Sequence, residues 1–224
     1  MVWPLTIARG VIDAVGTDMS IKAVLFDIGN VLIEWNPARF FEARLGPVRR
    51  DAFFADFDVQ AMMNRIDEGA DFAATIEAVA QDTPEWANEI RMVRDDWISL
   101  ASPDIPHSAR LLRALRQAGV PVFALSNFGI ENFRMSAEAH PVLQEFDRHY
   151  ISAELGLIKP DPAIYAAVEA DCGIDPAALL FTDDRADNIA VAAARGWRVH
   201  LFDSPEGWAQ ALVSHGLLSE EEAR

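Results

Sequence analysis

The chain has 224 residues, of which 51% are hydrophobic and 24% charged, values typical of a globular protein. This length is enough to bury a hydrophobic core, so folding requires neither disulfides nor a structural metal. The 19 basic and 35 acidic residues leave a net charge of −16, which repels nucleic acids and anionic membrane surfaces and makes both poor partners.

The N-terminal segment shows no targeting signal. Residues 1–18 mix modest hydrophobicity with Pro4, Arg9 and acidic residues, without the basic start and apolar run of a signal peptide. Met19 opens a segment that leads directly into the first predicted strand. We therefore expect residues 1–18 to be a peripheral N-terminal extension or to precede the natural start. The single cysteine, Cys172, excludes an internal disulfide and favours a cytoplasmic location.

Short apolar runs alternate with helical patterns along most of the chain. The runs are too short and too rich in β-forming residues for helices, and they predict the strands Ile21–Asp27, Val120–Ser126, His149–Ala153, Ala178–Asp183 and Trp197–Phe202. The predicted helices are Ser108–Ala118, Pro162–Asp171, Asp187–Arg195 and Pro205–His215. This alternation predicts an α/β fold with a doubly wound parallel sheet.

Residues 36–105 interrupt the alternation. They show helical stripes, such as Ile90, Val93 and Trp97, and no strand-like run. We interpret these stripes as helix packing. The interruption follows the first strand, so we expect residues 19–35 and 106–224 to form the core domain and residues 36–105 to form an inserted helical domain.

Polar residues follow several of the predicted strands. Asp27 comes at the end of the first strand, Ser126 and Asn127 follow the second, and Asp183 and Asp184 end the fourth. Each alone is an ordinary turn or capping residue. Ligands of an open parallel sheet bind beyond the carboxyl ends of its strands, where these residues would converge. Their convergence therefore predicts a ligand site.

Lys159 is a further candidate for this site. It lies in a loop rich in glycine and proline, just before a predicted helix. Lys22 and Lys159 are the only lysines among the 19 basic residues, so this chain strongly favours arginine. A lysine kept in such a loop indicates a need for a compact ammonium group, with a random surface lysine as the alternative.

Four segments at strand ends and helix starts stand in a recognisable order. They are FDIGNVL (Phe26–Leu32), LSN (Leu125–Asn127), GLIKPDPAIY (Gly156–Tyr165) and FTDDRADNIAVAAARG (Phe181–Gly196). This order resembles the motifs of the haloacid dehalogenase-like hydrolases, which also insert a helical cap after the first motif. Within that family, FDIGNV is more similar to helical-cap phosphatases, such as the α-glucose-1-phosphate phosphatase-like members, than to the dehalogenases.

The resemblance implies a phosphatase that acts through a covalent intermediate. Asp27 would attack phosphorus to form an aspartyl-phosphate. Ser126 and the backbone N–H of Asn127 would hold the phosphate oxygens. Lys159 would neutralise charge on the phosphate and the nucleophile. The implied substrate is a small phosphorylated metabolite, for which a sugar-1-phosphate is one candidate, and we expect a monomer or a homodimer.

The resemblance also implies a Mg²⁺ site. Its ligands would be Asp27, the backbone carbonyl of Gly29 and Asp184, with Asp183 and Asn188 as supporting residues or an additional ligand. Electrostatics leads to the same expectation independently. Several carboxylates beside a phosphate dianion repel one another strongly, and a single lysine does not balance them. Oxygen ligands of this kind suit Mg²⁺.

One position departs from the family pattern. The phosphatases of this family usually carry a second aspartate two residues after the nucleophile, as general acid and base, and this chain has Gly29 there. Glu34 is either a replacement or a solvated carboxylate, so the acid stays unassigned. Without it we expect a preference for less basic leaving groups, such as those of sugar-1-phosphates.

Two other functions stay open. In a 2-haloacid dehalogenase, Asp27 would attack carbon, but the adjacent Asp183 and Asp184 would repel an anionic haloacid. A non-catalytic relative that binds a phosphorylated ligand is suggested by Gly29 alone. It is less favoured because Asp27, Lys159 and Asp184 are kept together.

Overall fold

A computed structural model describes residues 20–224, so the predicted extension at residues 1–18 lies outside the described residues. Within this range the chain forms a parallel five-stranded sheet with the order β3-β2-β1-β4-β5. The strands are β1 (Ala23–Phe26), β2 (Val122–Ser126), β3 (Arg148–Ile151), β4 (Leu179–Asp183) and β5 (Arg198–Leu201). The predicted α/β fold with a doubly wound parallel sheet is confirmed.

Helices cover the sheet and fill the segment between β1 and β2. They are α1 (Pro37–Leu45), α2 (Pro47–Asp56), α3 (Val59–Asp67), α4 (Phe72–Asp82), α5 (Ala87–Asp95), α6 (Trp97–Leu100), α7 (Pro106–Gln117), α8 (Ile130–Ala139), α9 (Ser152–Leu155), α10 (Pro162–Cys172), α11 (Ala186–Ala194) and α12 (Pro205–Ser214). Among residues 20–224, no helix is both long and apolar enough to cross a membrane.

The central strands are buried on both faces. Val24 and Phe26 of β1 pack into one hydrophobic cluster, whereas Ala23 and Leu25 pack into another on the opposite face. Successive side chains of a strand point to opposite faces, so a strand covered on both sides must be apolar throughout. This explains why continuous apolar runs predicted the strands correctly. Because β1 lies between β2 and β4 in the parallel sheet, the carboxyl ends of these three strands are neighbours.

The third predicted strand is too long at its C-terminal end. His149–Ala153 was expected to be extended, but the strand ends at Ile151 and α9 begins at Ser152. The hydroxyl of Ser152 donates to the backbone carbonyl of Asp67 at 2.7 Å and accepts from the backbone N–H of Phe128 at 2.9 Å. These bonds turn the chain away from the sheet and link it to α3.

Helices α1 to α6 lie between residues 37 and 100, where the sequence predicts helices and no strand. Side-chain oxygens of Asn36, Asp58 and Asp71 accept hydrogen bonds at the N-termini of α1, α3 and α4. Buried aromatic residues such as Phe41 and Phe53 pack these helices together. The same hydrophobic cluster continues into the sheet, so the inserted helices are anchored on it.

Candidate active site

Asp27 lies at the carboxyl end of β1 and is 7% exposed. Its Oδ1 accepts a hydrogen bond from Ser126 Oγ at 2.7 Å. The same oxygen forms an ion pair with Lys159 Nζ at 3.0 Å. Burial raises the pKa of Asp27 to about 6; repulsion from Asp183 adds to this rise, while attraction to Lys159 opposes it. Asp27 is therefore a buried carboxylate held in place by two donors.

Lys159 is the positive centre of the site and is 4% exposed. Its ammonium contacts three oxygens: Leu125 O at 2.8 Å, Asp183 Oδ2 at 2.7 Å and Asp27 Oδ1 at 3.0 Å. An ammonium group has three donors, so these contacts use all of them. Burial alone would lower the pKa of Lys159, but attraction to Asp183 and Asp27 outweighs it and raises the pKa. The predicted need for a compact ammonium agrees with this geometry.

The loop that carries Lys159 is fixed by Asn127. The Asn127 amide donates to Lys159 O at 2.9 Å, and its Oδ1 accepts from Lys159 N at 2.8 Å. The sequence assigned a role to the backbone of Asn127 only. Its side chain has a second task, because this pair of hydrogen bonds sets the position of the lysine relative to β2.

Asp183 is fully buried at the end of β4. Its two carboxylate oxygens accept from Lys159 Nζ, from the Arg185 backbone N–H at 2.8 Å and from Asn188 Nδ2 at 3.0 Å. Asn188 lies in the first turn of α11 and is 1% exposed. Because both oxygens are occupied, Asp183 is suited to hold Lys159 rather than to bind a further ligand.

Asp184 is half-buried and faces the loop after β1. Its Oδ2 accepts from Asn30 Nδ2 at 2.9 Å, while Asn30 Oδ1 accepts from the Trp35 backbone N–H at 2.9 Å. Asn30 has a φ of 56°, a conformation that asparagine tolerates better than most residues. Burial raises the pKa of Asp184 and the hydrogen bond from Asn30 opposes the rise. The sequence did not assign this role to Asn30, although it belongs to the FDIGNVL segment.

The three aspartates form an acidic cluster at the sheet edge. One carboxylate oxygen from each of Asp27, Asp183 and Asp184 lies within 4.8 Å of the others. Lys159 is the cation in contact with two of them. The cluster thus keeps an excess of negative charge that a divalent cation would balance, and its oxygen donors are of the kind that Mg²⁺ prefers.

A cavity of about 590 Å³ opens above this cluster, a volume that suits a small metabolite. Sheet-edge residues form its floor: Asp27, Gly29, Ser126, Asn127, Lys159, Asp184 and Asn188 all line it. Its opposite wall comes from α3 and α6, including Gln60, Met63, Asn64, Asp67 and Trp97. The structure therefore brings the predicted site residues together and covers them with the inserted helices.

Two buried residues of the cavity wall had not been singled out from the sequence. Asp67, the last residue of α3, is 6% exposed. Asn132 in α8 is fully buried, and among the described residues neither its amide nitrogen nor its oxygen has a hydrogen-bond partner. Asp67 continues the apolar stripe of α3 four residues after Met63, and a carboxyl on such a stripe is the signal from which its burial could have been predicted.

Glu34, the alternative acid suggested by the sequence, lies away from this centre. It forms an ion pair with Arg39 in which both side chains are more than a third exposed. Glu34 is not one of the described residues that line the cavity. The interpretation of Glu34 as a solvated carboxylate is therefore the better one.

The family model for haloacid dehalogenase-like hydrolases matches residues 21–196. The chain belongs to this family. Among characterised relatives it is 28% identical over 187 residues to the sesquiterpene phosphatase astK of Aspergillus oryzae, covering 82% of this chain and 91% of that protein. It is 23% identical over 203 residues to the D-ribitol-5-phosphate phosphatase of Bacteroides thetaiotaomicron, covering 86% of this chain and 97% of that one.

A solved structure has the same fold. The HAD family enzyme bt-2542 of Bacteroides thetaiotaomicron, in complex with magnesium and inorganic phosphate, matches with a TM-score of 0.66 and 24% identity. The match covers 86% of this chain and 99% of that chain. The predicted family and its Rossmann-like core are thus confirmed.

Proposed function

We propose that this hydrolase is a Mg²⁺-dependent phosphatase that hydrolyses a small phosphorylated metabolite through an aspartyl-phosphate. The observation that carries the proposal is the position of Asp27. Its buried carboxylate lies on the floor of a cavity of metabolite size, between Ser126 and Lys159 and beside Asp184. The relatives named as phosphatases support the same reaction class.

Asp27 is arranged to act as the nucleophile. Among the described residues, hydrogen bonds reach its Oδ1 and none reaches Oδ2. The unbonded oxygen can therefore form the bond to phosphorus while the bonded one keeps the carboxyl in place. A pKa of about 6 leaves most of Asp27 ionised at neutral pH, as a nucleophile requires.

The phosphate-binding role falls to Ser126, Asn127 and Lys159. The Ser126 hydroxyl and the Asn127 backbone N–H are donors at the end of β2, and Lys159 brings a buried positive charge to the same place. Fixed donors in a site that excludes water stabilise the charge of a transferring phosphoryl group more strongly than water does. Lys159 is held by Asp183, and because its three donors already contact protein oxygens it would act on the phosphate mainly through its buried positive charge.

Asp27, the backbone carbonyl of Gly29 and Asp184 would hold the Mg²⁺. Asp183 and Asn188 would support it indirectly, since the oxygens of Asp183 are taken by Lys159, Asn188 and a backbone N–H. When bound, the ion offsets the negative charge of the phosphate and the carboxylates. Asn30 would orient Asp184 toward it through the hydrogen bond described above.

The cavity wall favours a hydroxylated substrate such as a sugar-1-phosphate. Asn30, Gln60, Asn64 and Asn132 line the cavity, beside apolar side chains such as Trp97. The unpartnered amide of Asn132 is costly to bury and would gain a partner from a substrate hydroxyl. A relative named for D-ribitol-5-phosphate agrees with such a substrate.

The inserted helices would act as a cap domain. In this proposal residues 36–105 close over a core of residues 19–35 and 106–224, and α3 brings the cap to the phosphate site. Closure would exclude water during transfer. Limited proteolysis with and without fluoroberyllate tests this point, and an unchanged cleavage pattern contradicts it.

Purified protein tests the main proposal. Hydrolysis of p-nitrophenyl phosphate should require Mg²⁺ and stop with EDTA, and a panel of sugar-1-phosphates, polyol phosphates and isoprenoid phosphates should show a preference for the hydroxylated compounds. Chloride release from 2-chloropropionate would instead identify a dehalogenase. Binding of phosphate without turnover of any phosphate ester would identify a non-catalytic relative.

A further inference from the structure

Hydrolysis by this route leaves one proton unassigned. The oxygen that leaves an alkyl phosphate is strongly basic, and its departure benefits from a proton in the transition state. Gly29 has no side chain to supply it, and Glu34 is paired with Arg39 outside the described cavity wall. An acid for an alkyl phosphate would therefore have to come from another residue of the cavity wall.

Four carboxyl groups line the described part of the cavity, those of Asp27, Asp67, Glu68 and Asp184. The nucleophile and a metal ligand account for Asp27 and Asp184. Glu68 is exposed to solvent, whereas Asp67 is 6% exposed. Asp67 is therefore the buried carboxyl that the phosphate and metal chemistry leaves unused.

Two core segments hold Asp67 in the cavity wall. Ser152 Oγ donates to the Asp67 backbone carbonyl at 2.7 Å, and the Gly129 backbone N–H donates to its carboxyl. Gly129 permits this close approach, because a Cβ there would lie 2.5 Å from Ile66 Cγ2. The end of α3 is thus seated on the loop after β2. From there the Asp67 carboxyl interacts electrostatically with both Asp27 and Lys159.

We propose that Asp67 is the general acid and base of the reaction, supplied by the inserted helices in place of the side chain that Gly29 lacks. The inference rests on the proposed phosphatase function and adds to it a catalytic residue outside the four family segments.

With Asp67 as acid and base, the proton given up in the first step is taken back in the second. In the first step Asp27 forms a bond to phosphorus, the bond from phosphorus to the leaving oxygen breaks, and the proton of Asp67 moves to that oxygen to release the alcohol. In the second step water attacks the phosphorus and gives its proton to the Asp67 carboxylate. The bond between phosphorus and Asp27 then breaks, which releases inorganic phosphate and restores both carboxyl groups.

The surroundings of Asp67 suit a group that gives and takes a proton near neutral pH. Burial raises its pKa to about 7, and repulsion from Asp27 and Glu68 adds to the rise. Attraction to Lys159 and the hydrogen bond from Gly129 oppose it. These groups come from the end of β1, from α3 itself, from the loop before α10 and from the loop after β2.

Asp67→Asn tests the assignment, because the amide keeps the shape of the side chain and removes the proton. The variant is compared with wild type on the best alkyl phosphate of the panel and on p-nitrophenyl phosphate, whose leaving group departs without a proton. We expect kcat/KM for the alkyl phosphate to fall about a hundredfold or more. With p-nitrophenyl phosphate, rapid mixing should show a stoichiometric burst of nitrophenolate followed by slow turnover, because hydrolysis of the aspartyl-phosphate still lacks its base.

Asp82→Asn is the matched control, since it makes the same substitution at an exposed carboxyl of the inserted helices that is not among the described residues lining the cavity, and it should show wild-type kinetics on both substrates. Circular dichroism checks the fold of each variant, and Asp67→Ser replaces the amide variant if that one is unfolded. An equal loss on both substrates without a burst assigns Asp67 to binding or structure and overturns the inference, as does wild-type turnover of the alkyl phosphate. Wild-type protein that hydrolyses no phosphate ester contradicts the phosphatase proposal itself.

Discussion

The sheet edge and the inserted helices contribute to the site in different ways. At the sheet edge, Asp27, Lys159 and Asp183 form a closed set of charges in which each group is bonded to its neighbours. On the facing wall, Asp67 is a buried carboxyl that approaches this set without an ion pair among the described residues. In the proposed roles, the sheet edge binds and transfers the phosphoryl group, and Asp67 on the facing wall exchanges the proton of the leaving group.

Asp27→Asn should have the largest effect on turnover, because it removes the proposed nucleophile at the sheet edge and leaves the facing wall unchanged. The amide is a far weaker nucleophile of similar shape, so we expect turnover to fall by about a thousandfold or more on aryl and alkyl phosphates alike. Steady-state kinetics on both substrates measures this loss. Asp187→Asn, at an exposed residue paired with Arg185, serves as the control and should leave turnover unchanged. Retention of a tenth of the wild-type rate in Asp27→Asn would contradict the covalent role.

Asp67→Asn should affect stability as well as catalysis, with a characteristic pH dependence. The unfolded chain has the ordinary pKa of 3.8 at this residue, and burial raises it to about 7 in the folded chain. Between these values the folded state binds more protons, so Asp67 lowers the free energy of unfolding as the pH rises. The variant lacks this penalty, which amounts to at most about 4 kcal/mol.

Thermal unfolding of wild type and Asp67→Asn at pH 5 and pH 8 measures this difference. The variant's advantage should grow toward pH 8, and Asp82→Asn, at an exposed residue that is not among those lining the cavity, is the control for the substitution itself. A difference in melting temperature that is the same at both pH values would mean that Asp67 is ionised at neutral pH.

Asp184→Ala tests the proposed Mg²⁺ site at the sheet edge. Removing a ligand should raise the Mg²⁺ concentration for half-maximal activity by at least about tenfold, since even residues that only support a metal ligand contribute that much. A Mg²⁺ titration of activity measures the midpoint, with Asp187→Asn again as the control. An unchanged midpoint would exclude Asp184 as a ligand.

The sequence was most informative where topology determines position. Each predicted residue at the sheet edge follows a fully buried strand, and parallel strands bring their carboxyl ends together whatever the loops do. The apolar runs alone therefore predict that Asp27, Ser126 and Asp183 lie at neighbouring strand ends, where the structure places them, while their roles remain proposals. Lys159 comes from a loop, and its arrival at the same edge depended on its rarity and on the family resemblance.

The sequence was least informative on the facing wall. The distance between α3 and the sheet depends on the packing of several helices and on Gly129, which periodicity does not encode. Asp67 lies on the buried face of α3, four residues after Met63, and Asn132 lies four residues before the buried Ser136 of α8, so periodicity gives their burial but not the contact of α3 with the loop after β2. Asn30 belongs to the FDIGNVL segment, but its bond to Asp184 joins residues 154 positions apart, which local sequence patterns do not encode.

Gly29→Asp in the Asp67→Asn background would move the acid from the inserted helices back to the sheet edge. Position 29 has room for it, because φ there is not in the left-handed region and an added Cβ meets nothing nearer than Trp35 Cβ at 3.9 Å. The substitution also leaves the backbone carbonyl in place for the proposed Mg²⁺ site. We expect kcat/KM of the double variant for the alkyl phosphate to be about tenfold higher than that of Asp67→Asn, which is part of what a well-placed acid supplies. The double variant should also show no burst on p-nitrophenyl phosphate.

Gly29→Ala in the Asp67→Asn background adds the Cβ without the acid and should recover no activity. If the two double variants behave alike, position 29 does not face the leaving oxygen, and the two walls of the cavity are not interchangeable sources of the proton.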